Sequence, residues 1–313
     1  MTVLFLLIAK LIPLYIVVLF GFLAGRFSEV KKETVANLLI YIITPVVVFG
    51  GVFSAPITAY ALFLPILFFV LAASICVLYY FISGLFFKTS ERNILAYAAG
   101  VGNVGYFGLP IGLALFGPQQ MGVMVLIVLG FILYEHSLGF FIAAKGQFSS
   151  RQALKKLLKL PALHAFFFAL FCNIVAFPLS PFIDDLLVSF RGAYTVLGMM
   201  LVGLGLSQIK SASIDYMFSG LAFVAKFLIW PIVIMGIIFI DSRWLNFYDA
   251  SIYQIMFLMS IVPLASNTVA FAAKFNLFPE KSAFTVLLST LFALIYIPIV
   301  IFFATPFIAR IAL

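Results

Sequence analysis

The stretch Gly100-Val101-Gly102-Asn103-Val104-Gly105-Tyr106-Phe107-Gly108-Leu109-Pro110 lies inside an apolar segment long enough to cross a bilayer. Four glycines, an asparagine and a proline make an unbroken helix a poor fit there. Hydrocarbon offers no partner to freed backbone N–H and C=O groups. A break at membrane depth must therefore be buried in protein or line a cavity. A second interruption, Ser260-Ile261-Val262-Pro263-Leu264-Ala265-Ser266-Asn267-Thr268, lies near the far end. Interrupted segments in corresponding positions of two halves point to a transporter's binding site.

The rest of the chain is solvent for these breaks. The full chain is 65% hydrophobic and 9% charged, with mean hydropathy +1.27. Soluble domains carry about 25% charged residues, so the reading is an all-α, polytopic membrane protein. The net charge of +8 is explained by basic loops on one membrane face, and nucleic acid is not an expected partner. Cys76 and Cys172 each lie within apolar spans, where a lone thiol behaves as a small hydrophobe; no disulfide and no metal centre are expected. The apolar start, without a basic leader or an obvious cleavage site, reads as the first span rather than a signal peptide.

Ten spans are predicted: Leu4–Gly25, Val35–Phe53, Tyr60–Phe86, Asn93–Phe116, Gln120–Ala144, Ala162–Leu179, Gly192–Gln208, Met217–Ile240, Ser251–Phe275 and Ser282–Phe303. Residues 178–190 read as an outer surface segment. The odd-numbered connections hold most of the Lys and Arg, from Arg26 and Lys31 to Lys274 and Lys281. This asymmetry places them in the cytoplasm and both termini outside. The basic stretch 149–160 reads as a linker helix on anionic lipids or, less simply, a regulatory site. The linker 145–160 then separates two five-span halves, 1–144 and 161–313. An odd number of spans per half makes any repeat an inverted one, with the interrupted fourth and ninth spans in equivalent positions.

Three blocks resemble the auxin efflux carrier family of plant and microbial permeases. They are Pro13 to Arg26 with Tyr41-Ile42-Ile43-Thr44-Pro45; Gly102 to Pro110 with Ala114-Leu115-Phe116-Gly117; and Pro263 to Asn267 with Ala272-Ala273-Lys274-Phe275-Asn276. The resemblance covers essentially the whole chain. It implies ten helices in two inverted repeats, broken and crossing helices four and nine, and a fold shared with sodium–bile acid symporters. It also implies a scaffold of spans 1, 2, 6 and 7, often dimeric, and an elevator-like shift of the remaining spans. The short loop at the seam is of the bacterial kind, which implies a bacterial inner membrane. Gly102-Asn103 stands where plant carriers tend to have Pro–Asn, so small carboxylates such as malate or malonate are implied ahead of auxin.

On the residues themselves, a half-helix beginning near Gly108–Pro110 would present free N–H groups and a positive dipole end to a carboxylate. Asn103 and Asn267 either orient substrate with paired amides or satisfy the broken backbone. Gly102 either touches ligand or permits close crossing, Tyr106 packs over substrate or fills the gap, and Pro110 and Pro263 shape the breaks. Glu135 lies near mid-membrane, where a carboxyl is a functional hypothesis and a candidate proton carrier. His136 points about 100° away on the same helix. Lys226 either snorkels to the cytoplasmic interface, the commoner fate, or pairs with Glu135 or a substrate carboxylate.

No P-loop, catalytic triad or metal cluster is readable, so no enzyme and no cofactor are expected, and proton or sodium coupling is left open. The function expected is a permease for a small organic anion, auxin-like or dicarboxylate, with membrane lipids as its surroundings. The alternative is a non-transporting membrane receptor that keeps the fold.

Overall fold

The computed structural model describes residues 2–28, 30–54, 59–117, 120–145, 161–207 and 215–311. The linker residues 146–160 lie outside them. Every element among the described residues is helical. Among the described residues seven helices are long and apolar enough to cross a membrane. Three further apolar stretches lie among the described residues: Ile12–Phe27, part of a 26-residue helix that starts at Thr2, and the shorter helices Pro161–Ile174 and Ala250–Ser260, the last cut off by the second interruption.

In the first half, α1 is Thr2–Phe27, α2 Lys32–Leu38, α3 Thr44–Phe53, α4 Ala59–Phe86 and α5 Glu91–Gly100. Then come α6 Leu109–Phe116, α7 Met121–Tyr134 and α8 Phe140–Lys145. The second half holds α9 Pro161–Ile174, α10 Pro181–Ser207, α11 Tyr216–Val224 and α12 Trp230–Ile240. It ends with α13 Ala250–Ser260, α14 Asn267–Lys274 and α15 Pro279–Ile311.

Residues 181–190, expected on the surface, are mostly exposed and form the first turns of α10. Pro181 opens that helix and Asp184 sits in its first turn, both favoured at a helix start.

Burial separates the helices into two kinds. The windows over Glu91–Phe116 and Met121–Lys145 are 72% and 65% buried, against 33% for Phe63–Phe86. The broken fourth span and its neighbour α7 are thus the centre of the molecule. The outer helices show Phe81, Leu85, Ile295 and Phe303 outward, as lipid-facing surfaces require. On one flank α1 lies along α10 so closely that a methyl group on Gly203 would strike the backbone of Val18. Small residues allow such approach where lipid gives no hydrophobic drive to pack.

Among the described residues five π-helical turns interrupt the helices: Leu39–Ile43, Val104–Gly108, Glu135–Gly139, Ala225–Ile229 and Asp241–Leu245. Three of them run into a helix whose second residue is proline, namely Pro45, Pro110 and Pro231. A proline ring collides with the carbonyl four residues back, and the wider turn makes room for it. Pro45 therefore marks a local widening of the second span.

Candidate functional site

The first break begins where α5 ends at Gly100. Val101 is extended (φ −122°, ψ 152°), and Asn103 (φ −74°, ψ 52°) heads the π turn. The Asn103 carbonyl accepts from the amides of Phe107 at 3.1 Å and Gly108 at 2.9 Å. The helix thus restarts at Val104, four residues earlier than the Gly108–Pro110 start expected. The reason is that the Asn103 carbonyl serves as the first acceptor of the new helix. First-turn amides have no intrahelical acceptor, and Gly105 and Tyr106 hold that place here.

The second break runs over residues 261–266, and the helix restarts at Asn267. The amides of Thr268 and Val269 bond to the carbonyls of Ala265 and Ser266 at 3.0 and 3.1 Å. The Leu264 amide donates to Ser289 Oγ on α15 at 3.2 Å.

The two breaks touch. The Asn103 amide donates to the Pro263 carbonyl at 2.8 Å, and Asn103 Nδ2 donates to Ser266 Oγ at 3.3 Å. Beside this contact Asn267 Nδ2 donates to Glu135 Oε2 at 2.9 Å. A cavity of about 450 Å³ opens there. Gly102, Asn103, Gly105, Tyr106, Glu135, Ser266 and Asn267 line it, with Phe131, Phe140 and Phe271 as apolar wall.

Of the residues singled out from sequence, Gly102, Asn103, Tyr106, Glu135 and Asn267 meet on this cavity. Pro110 and Pro263 do not line it; Pro110 follows the π turn, and Pro263 offers its carbonyl to Asn103. The side chain of His136 lies outside those described. Lys226 does not snorkel: it is 0% exposed. Its ammonium stands 4.9 Å from the Trp230 ring centroid and 5.7 Å from that of Phe131. The Trp230 indole N–H donates to the Ala99 carbonyl at 2.8 Å, which pins this helix to the end of α5 and turns Lys226 inward.

Sequence reasoning missed part of the wall. Asn37, Tyr41 and Thr44 come from the second span, and Tyr194 comes from α10. Tyr194 packs against Tyr106 with ring centroids 5.2 Å apart. The block from Tyr41 to Pro45 held two of these residues; Tyr194 had no signal of its own. The π turns give a further pattern. Three of them each set one polar residue on the cavity: Tyr41, Tyr106 and Glu135. Such turns are frequent at functional sites, because the extra residue re-aims a side chain.

Among the described residues no group of three His, Cys, Asp or Glu side chains is placed to hold a metal ion. Cys76 and Cys172 are buried free thiols.

Residues 145–301 match the family model described as membrane transport protein. The chain belongs to this family. The match takes in the second break and the whole of α9 to α14. An uncharacterized transporter of Methanocaldococcus jannaschii is 25% identical over 295 residues, covering 90% of this chain and 94% of the relative. Both matches agree with the motifs of the auxin efflux carrier permeases and point to a membrane transporter rather than an enzyme.

Proposed function

We propose that the chain is a secondary transporter that carries a small organic anion, a carboxylate, by alternating access. The reading takes the seven long apolar helices and the three further apolar stretches as ten spans in two inverted five-helix halves, with both termini outside a bacterial inner membrane. The observation that carries it is the contact of the two breaks, Asn103 to Pro263, at the edge of the cavity. Two helices restart beside that contact, at Val104 and Asn267. The first-turn amides of Gly105 and Tyr106 and the positive dipole ends of both helices favour an anion. Asn103 and Asn267 orient the carboxylate, and Glu135, joined to Asn267, carries a coupling proton.

The movement proposed is an elevator-like shift. The α1–α10 pair packs on itself along one flank and serves as scaffold, with α2–α3 and α9, and a homodimer forms through it. Spans around the breaks travel against it, across the Tyr106–Tyr194 contact.

Uptake into proteoliposomes tests the site. Asn103→Ala and Asn267→Ala are each expected to reduce carboxylate flux at least about tenfold, the loss of one or two hydrogen bonds to a charged group. Wild-type flux in both variants would remove the cavity from the mechanism.

A further inference from the structure

The cavity has an electrostatic gap. Glu135 lines it, and among the described residues no Lys or Arg does. Of the described groups, a carboxylate held there meets an acid, two amides and helix starts. Lys226 is the only Lys or Arg buried among the described residues. Among the described residues no oxygen accepts a hydrogen bond from its Nζ. Such a group at membrane depth is costly and is kept for a use.

Its position is specific. A Cβ added to Gly102 would collide with the tip of Lys226 and lie 2.9 Å from a methyl of Val262. The tip of Lys226 therefore lies against the first break, beside Val262 of the second. Two residues of the cavity wall, Gly102 and Phe131, are also neighbours of the Lys226 tip. It also lies on the Ala225–Ile229 π turn, the counterpart of the three turns that each give the cavity one polar residue. The Trp230 and Phe131 faces stabilise an ammonium there through their ring quadrupoles.

We infer that Lys226 is the resident positive charge of the site, acting through the thin wall at Gly102 on an anion in the cavity. It touches no substrate; it sets the potential that the substrate enters. Because the charge belongs to the chain, no metal cation has to accompany the anion. The inference rests on the carboxylate reading above, and the experiment separates the two.

Purified protein is screened by thermal shift with acetate, malonate and indole-3-acetate, and the acid that stabilises the wild type is followed in proteoliposomes. Uptake by the wild type is expected to be equal in sodium and choline buffers. Lys226→Met, which fills the same apolar space, is expected to fold and to raise KM about tenfold or more, with a smaller change in maximal rate, as loss of a charge interaction in a low-dielectric site implies. Lys226→Ala is expected to regain uptake with ethylammonium and not with ethanol. A strict sodium requirement in the wild type overturns the inference without any variant. So does a wild-type KM in Lys226→Met, or rescue by ethanol equal to that by ethylammonium. If Asn103→Ala abolishes uptake while Lys226→Met does not alter it, the carboxylate reading stands and this inference alone falls. If no acid binds the wild type, both fall.

Discussion

The two broken helices reach the same meeting point by different local chemistry. The first, α5 to α6, is interrupted over residues 101–103 and rewinds through a π turn whose acceptor is the backbone of Asn103. Little but glycine fits its inner face, with Lys226 and Val262 behind it. The second, α13 to α14, is interrupted over twice that length, residues 261–266. Side chains hold it: Ser289 takes the Leu264 amide, and Asn267 reaches Glu135. One break depends on empty space, the other on donors and acceptors. They are expected to fail in different ways.

Space is the more brittle requirement. Gly102→Leu needs room already filled by Lys226 and Val262. It is expected to abolish uptake and to destabilise by about 1–3 kcal/mol, the usual range for overpacking. Flux and thermal unfolding of the variant measure both. Wild-type flux in Gly102→Leu would show that the close approach is not needed.

At the second break the sharpest change is Glu135→Gln. A glutamine keeps an oxygen for Asn267 Nδ2 and gives up the titrating carboxyl. The fold is expected to survive, and uptake to lose its dependence on external pH. A pH profile and rate like those of the wild type would end the coupling role of Glu135 and leave Asn267 as a structural brace. The contrast with Gly102→Leu is the point: one variant removes transport by shape, the other uncouples it with shape intact.

Much of this site was legible in the chain. Gly, Pro and Asn stand out against an apolar background, so both breaks, Asn103 and Asn267 could be named, and Glu135 is conspicuous for the same reason. What tertiary packing alone decides could not be named. Tyr194 is one of many aromatic residues and reaches the cavity only because α10 passes Tyr106. Lys226 lies at a depth from which a lysine commonly snorkels; the Trp230 bond to Ala99 turns it inward, and nothing in the spacing announces that bond. The Val104 restart escaped notice for a related reason. Pro110 suggested a helix start at itself, but its ring only requires a wider turn before it. Three prolines follow such turns, and the rule is visible only once the turns are seen.

A smaller effect is expected from Ser289→Ala. It leaves the Leu264 amide buried without its acceptor, at a cost of about 1–3 kcal/mol. Among the described residues no side chain bonds the backbone of residues 101–103; the nearest such prop is the Trp230 indole on the Ala99 carbonyl, just before them. Thermal unfolding of Ser289→Ala beside wild type decides it. An unchanged midpoint would mean that the second break, like the first, is held by backbone and packing.

The far ends of the two broken helices extend the contrast at lower stakes. The second starts at an Asp249 cap, whose carboxylate accepts from the Ile252 amide at 2.9 Å. The first starts at Glu91, which Lys281 joins to Asp215 at the head of α11. Lys281 is about a quarter exposed, so Lys281→Met is expected to cost no more than about 1 kcal/mol. The pH dependence identifies the source of that loss. Burial pushes the Asp215 carboxyl up, but hydrogen bonds from Lys281 and the Phe218 amide outweigh it and hold the group below its ordinary value of 3.8. A carboxyl held low in the folded state adds stability above its unfolded pKa, and that stability fades as pH falls through the lower folded value. The advantage of wild type over Lys281→Met is therefore expected to stay flat from neutral pH to about pH 4 and to shrink below it. An advantage that persists undiminished into strong acid would assign Lys281 to packing against Phe278, and the anchoring of the first broken helix would rest on contact rather than charge.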